Sequence, residues 1–240
     1  MKRLVTVKLH LKGECNHNDL LCQYEERFVL MKQSISSQSI VDFARTCYEL
    51  GKSCKCKQWS AYTSQGLSAV KYAINQQLPG YQQCYKLYAF LLNDWISSKC
   101  GLLHKLRNSR RIKKYLNKAY DCNPYDIELL KYIGDWNRDN MPRLYLKHFY
   151  KWLVPTYCQG NHDEAVQCYL TICKLCPSLD SHLTLTECLL NAGLFESAQK
   201  QMRLVKQDYG YPSNISAEDK ERIETIDKDI EKKARVFYSL

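Results

Sequence analysis

Apolar and small residues recur along this chain at positions i, i+4 and i+7, with a proline or glycine at i+12. Ile112, Leu116, Ala119 and Pro124 have this spacing. It returns at Ala165, Tyr169, Ile172 and Pro177, and again at Ala198, Met202, Val205 and Gly210, while Leu67, Lys71, Ile74 and Pro79 give a fainter copy. A period near 3.6 puts the first three residues of each set on one face of a helix, and the Pro or Gly ends that helix. A second pattern lies between these sets. Tyr85, Tyr88, Ala89 and Leu92 follow Pro79, and Leu130, Ile133, Gly134 and Asn137 follow Pro124. Both carry a small residue, Ala89 or Gly134, where a neighbouring helix must approach closely. Leu185, Thr186 and Leu189 precede Gly193, with Thr186 in the slot of the small residue. Gly160 and Gly193 each stand five residues before an alanine, Ala165 and Ala198.

Helix pairs repeated in one register predict an all-α array resembling the tetratricopeptide unit, whose second helix carries a small residue, a large residue four positions on and a terminal proline. Such units stack into a solenoid that presents binding surfaces and does not build a catalytic pocket by itself. The marker prolines stand 45 (124 − 79) and 53 (177 − 124) residues apart, more than the roughly 34 of a standard unit. The surplus predicts insertions around Lys99 to Ser109 and over Met141 to Tyr157. In the second, Pro142 opens a helix with Leu144, Leu146, Phe149, Trp152 and Leu153, and Pro155 stops it. Upstream, Ile40, Phe43, Ala44, Cys47, Tyr48 and Leu50 predict a helix from about Ser39 closed by Gly51, followed by its partner from about Ser60 to Leu78. At the far end, Ser216 and Asp219 predict an N-cap, and Ile223, Ile226, Ile230 and Ala234 form a narrow stripe suited to sealing a solenoid. The chain thus divides into an N-terminal segment (1–38), repeats (39–212) and a capping helix (213–240). Val5, Val7, Leu9 and Leu11 alternate and suggest a strand within the first segment.

Composition narrows the class. Of 240 residues, 45% are hydrophobic and 25% charged, as in ordinary folded domains. Nine glycines and six prolines argue against a turn-rich all-β fold. No apolar run approaches the roughly 20 residues that span a bilayer. Met1-Lys2-Arg3 and the following stretch, with Lys8 and His10 inside it, make a poor secretory signal, so a cytoplasmic chain is expected and the sequon Asn214-Ile215-Ser216 is idle. Thirteen cysteines do not imply disulfides in that setting. Cys84, Cys168, Cys173 and Cys188 sit in helical patterns beside apolar neighbours, where a thiol acts as a small hydrophobe. Cys173 and Cys176 end a helix, whereas redox pairs use the N-terminal end, and the spacing of a second zinc half-site is missing. Cys54 and Cys56 lie among Lys52, Lys55 and Lys57 in an expected loop. Phosphate-binding, nucleophile-elbow and metalloprotease motifs are absent, and the histidines lack a spaced carboxylate or cysteine set. Neither an enzyme nor a cofactor or metal protein is expected.

Net charge is +10 and concentrated. Between Lys99 and Tyr120 there are eight basic residues (Lys99, Lys105, Arg107, Arg110, Arg111, Lys113, Lys114, Lys118) and no acidic one. Arg107, Arg110, Arg111, Lys114 and Lys118 follow i, i+3, i+4, i+7 and i+11, one stripe of a helix whose other face carries Ile112, Tyr115, Leu116 and Ala119. These five, with Lys105, are the candidate contact residues. A solvated face needs no partner, and an acidic protein or an anionic membrane would also suit it. Nucleic acid is not expected, because no stacking aromatics interleave with the stripe.

Leu67–Ala73, Tyr88–Asp94 and Asn117–Pro124, together with Met141-Pro142 opening an extra helix after a repeat's first helix, resemble the regulator of microtubule dynamics family of tetratricopeptide proteins. The likeness runs from about Ile40 to about Ile226. It implies an adaptor associated with microtubules or their associated proteins, with a cytoskeletal or spindle-pole location and roles in spindle assembly and chromosome segregation. One branch of the family tethers mitochondria to the endoplasmic reticulum through a membrane segment, so membrane-contact tethering or lipid handling is the alternative. This chain is more basic than the family's repeats.

Overall fold

The structure, a computed structural model, describes residues 15–53, 59–99, 102–140, 160–208 and 216–238. Among the described residues the chain is helical, with α1 (Cys15–Gln33), α2 (Ser37–Ser53), α3 (Trp59–Asn75), a 3-10 turn (Tyr81–Gln83), α4 (Cys84–Lys99), α5 (Leu102–Cys122), α6 (Ile127–Asp139), α7 (His162–Leu175), α8 (Leu179–Asn191), α9 (Phe195–Asp208) and α10 (Ala217–Tyr238). It falls into two compact units, Met1–Lys105 and Leu106–Leu240. In the first, α1 packs on α2, α2 on α3 and α3 on α4, with α2 also against α4. In the second, α6 packs on α7, α7 on α8 and α8 on α9, and α10 lies against both α8 and α9. Within the runs α1–α4 and α6–α10, consecutive helices thus pack on one another, and α2 with α4 and α8 with α10 meet across one helix, the packing expected of a helical-repeat stack.

The repeated positions are the core. Ile112, Leu116, Ala165, Tyr169, Ile172, Ala198, Met202 and Val205 are all 5% exposed or less. The faint upstream copy is displaced by one residue: Gly66, Val70 and Ala73 are buried, whereas Lys71 is exposed. Glycine is required there, because a Cβ on Gly66 would lie 2.8 Å from the Cys47 Cβ. At Gly134 the corresponding atom would lie 2.7 Å from the Tyr169 ring, so the small residue of one helix receives the large residue of the next. Thr186 occupies this slot in α8 fully buried, with its hydroxyl donating to the His182 carbonyl at 2.9 Å. Gly51, expected to close a helix, is instead buried inside α2, which runs on to Ser53.

Helix ends follow capping chemistry. Asp126 accepts from the Leu129 amide at 3.0 Å, and Ser178 and Ser181 form a reciprocal capping box at the start of α8. Ser216 accepts from the Asp219 amide at 3.1 Å, and its hydroxyl donates to the Asp219 carboxylate at 2.7 Å. The α8 terminus is a Schellman turn in which Gly193, at φ 78°, lets Leu194 N–H reach the Leu189 carbonyl. Gln77 makes the same turn after α3 at φ 51° without the freedom of glycine.

Helix α1 lies where the sequence offered no helical period. It is held by an aromatic cluster of Tyr24, Phe28, Phe43 and Tyr62 with centroids 5.2–5.5 Å apart across helices. Arg27 also reaches over to α2, donating to the Asp42 carbonyl at 3.1 Å and the Thr46 hydroxyl at 2.7 Å. The strand suggested at Val5–Leu11, the helix opened by Pro142, Cys54, Cys56 and Asn214 all fall outside the described residues.

Candidate functional site

Helix α5 is continuous through the basic stripe. Arg110, Arg111 and Lys114 are exposed, and Lys118 is half-buried with its ammonium 5.7 Å from the centre of the Tyr115 ring. Ile112, Leu116 and Ala119 are buried on the opposite side. The side chains of Lys105 and Arg107 lie outside the described residues. Lys113, one position off the stripe, is neutralised by Glu164 of α7 at 3.0 Å. Cys122 ends the helix just after Asp121, the first acid that the face meets. Among the described side chains the cationic face runs from Arg110 to Lys118, about 12 Å for an eight-residue span at 1.5 Å per residue.

A second charged surface was not anticipated. Helices α6, α8 and α10 share a ladder of ion pairs. Lys131 meets Asp180 at 3.1 Å, Asp180 meets Arg222 at 2.8 Å, Arg222 meets Glu187 at 2.8 Å, and Glu187 meets Arg138 at 3.7 Å. Arg222 also donates to the Thr184 hydroxyl at 2.8 Å, so its guanidinium is fixed by three groups of α8. Burial pushes the Asp180 carboxyl up, but hydrogen bonds from Arg222 and Lys131 outweigh it and hold the pKa below the usual range. Glu187 and Asp180 conversely hold the Arg222 guanidinium charged. At the inner end, Asp135 pairs with Arg138 at 3.0 Å and accepts from the Tyr169 hydroxyl at 2.7 Å, which with burial raises the phenol's pKa. Partners in the ladder stand 42 and 49 residues apart, a separation that no helical period reveals.

Beside this ladder, α8 and α10 enclose an open groove of about 490 Å³. Leu190 and Ile226 form its floor, and Glu218, Glu221 and Asp229 stand along the α10 rim. Cys47, Cys84, Cys168 and Cys188 are buried free thiols, and burial pushes their pKa values to about 11 or 12. They are packing groups and not nucleophiles. Cys173 is half-buried and Cys176 exposed at the end of α7, and no cluster of three metal-ligating side chains occurs among the described residues. No helix among them is long and apolar enough to cross a membrane.

A search of curated proteins found no match. The family described as regulator of microtubule dynamics protein 1-3 matches residues 8–234, a span that includes α1 and the stretch before it as well as the repeats. With nearly the whole chain covered and the helical array expected of it in place, this protein belongs to the regulator of microtubule dynamics family.

Proposed function

We propose that the chain is a non-enzymatic adaptor that contacts microtubules, or proteins bound to them, through the outward face of α5. The observation that carries this reading is the exposure of Arg110, Arg111 and Lys114 in one row, opposite a buried apolar face, in a member of a microtubule-dynamics family. A row of cations raises the local concentration of an acidic polymer and speeds its capture without a deep pocket. Work at the spindle, in spindle organisation and chromosome segregation, and a cytoplasmic, cytoskeletal location follow from the same reading.

Co-sedimentation with polymerised tubulin tests it. Replacing Arg107, Arg110, Arg111 and Lys114 together by Glu is expected to abolish pelleting and leave the far-ultraviolet circular dichroism unchanged. Binding of the parent should weaken steeply as salt rises, because the screening length falls to about 8 Å at physiological ionic strength. A quadruple variant that pellets like the parent would remove the stripe from the contact. Binding to anionic vesicles but not to microtubules would favour membrane-contact tethering.

A further inference from the structure

The hold of α8 on Arg222 is more specific than the closing of a helical array requires. All three guanidinium nitrogens are engaged, Nε by Glu187, Nη1 by Asp180 and Nη2 by the Thr184 hydroxyl, each at 2.8 Å. The three acceptors stand at i, i+4 and i+7 on α8, which puts them on one face of that helix. Two carboxylates and a hydroxyl placed this way read the planar fork of an arginine, a shape that lysine does not have. The site also stands without its guest. Lys131 and Arg138 of α6 pair with Asp180 and Glu187 respectively, so neither carboxylate is left bare when Arg222 withdraws.

Helix α10, by contrast, seats itself through few side chains. Of its 22 residues, the described side chains that are buried are Ile223, Ile226 and Ile230. They follow Arg222 at +1, +4 and +8 and form one narrow stripe. Asp227 adds an ion pair with Lys206 of α9 at 2.5 Å, and Lys233 reaches the Leu190 carbonyl only at 3.5 Å. The open groove beside Leu190 and Asn191 shows that α10 leaves part of α8 uncovered. One arginine, one aliphatic stripe and an incompletely filled seat are the marks of a helix lying in a groove as a ligand does.

We propose that this face of α8 is a docking site for an amphipathic helix of a partner protein, one that carries an arginine with large aliphatic residues at +1, +4 and +8. Helix α10 has that pattern and fills the site in cis, so it competes with the partner. Because α10 is covalently attached, its effective concentration is high, and the partner binds only where its affinity or abundance exceeds that of the resident helix. The inference concerns α8 and α10 and does not depend on microtubule binding through α5.

Fluorescence anisotropy with a labelled synthetic peptide of residues 216–238 tests this. The full chain carrying Ile226→Asp has a loosened α10 and an unaltered α8. It is expected to bind the peptide at least about tenfold more tightly than the parent, whose site is filled. A peptide with Arg222→Lys should lose about tenfold in affinity for the loosened chain, since an ammonium does not reproduce the fork. Adding Asp180→Asn and Glu187→Gln to the loosened chain should remove binding of the unaltered peptide. Should Ile226→Asp cost helix content by circular dichroism, the full chain with Arg222→Ala supplies the emptied site and should give the same order. Equal binding to the parent and the loosened chain would overturn the proposal. So would an unchanged affinity of the Arg222→Lys peptide, or no binding to either loosened variant at about 0.1 mM chain.

Discussion

Asp94 shows how one side chain in the first unit is set against its surroundings. It is a half-buried carboxyl on α4, and desolvation pushes its pKa up to about 6, with Lys52 of α2 pulling the other way. Lys52 itself rests 4.2 Å over the Tyr48 ring, which packs on Phe90 of α4. Between pH 4 and 6 the folded chain holds a proton on Asp94 that the unfolded chain releases, so this group's contribution to stability falls as pH rises through that window. Asp94→Asn should flatten the dependence and stabilise the first unit at pH 7 by up to about 2–3 kcal/mol, since each pH unit between the usual and folded values is worth about 1.4 kcal/mol. Urea unfolding at pH 4.5 and 7 checks it, and an equal effect at both values would rule out the titration. The same scale shows what the sequence reveals at single positions. Gly134 was identifiable as a crossing residue because the pattern around it is regular, and the Tyr169 ring sits against it. Gly66 was missed by one residue because Thr63 and Gly66 are not apolar, though both are buried; steric need, not hydrophobicity, fixes that register.

Among elements, what was legible is what packs through a periodic stripe. Helices α2 to α10 announce themselves this way, and so does the basic face of α5. Helix α1 does not, because its hold on the unit comes from ring contacts and from Arg27 hydrogen-bonding to α2, while Val29 and Leu30 on it are each 50% exposed. The ladder across α6, α8 and α10 was invisible for a different reason: its ion pairs join residues of separate repeats. Its members are not of equal value. Lys131 and Asp180 are each 55% exposed, whereas the Arg222 and Glu187 side chains are 28% and 29% exposed and the guanidinium is bound on three sides. Arg222→Ala should therefore cost about 1–2 kcal/mol, through the lost charge-assisted bonds, and Lys131→Ala no more than about 0.5 kcal/mol. Chemical denaturation of both variants checks the ordering, and equal losses would show that the ladder acts as one network.

Across the whole molecule, stability comes from neighbours in sequence, which is why a spacing rule could identify the architecture while leaving the surfaces that matter for binding to be found in three dimensions. The join between α6 and α7 has a consequence of its own. Gly160 N–H donates to the Asn140 carbonyl at 3.1 Å, and Asn161 N–H donates to the Asn137 side chain at 3.0 Å. A Cβ on Gly160 would fall 1.8 Å from the Asn137 carbonyl oxygen, so only glycine can make this clasp. Asn140 and Gly160, the residues on either side of 141–159, are thus fastened together. The stretch of 19 residues from 141 to 159 is joined to the array at that one gate, and replacing it is expected to leave the pairing of α6 with α7 unaltered. Exchanging it for about six glycine and serine residues should leave helix content and unfolding cooperativity intact and raise stability by about 1 kcal/mol from the shorter closure. Loss of cooperative unfolding would show that this stretch props up the stack. If it does not, the gate is a graft point, where this array can acquire a new recognition element while its scaffold stays the same.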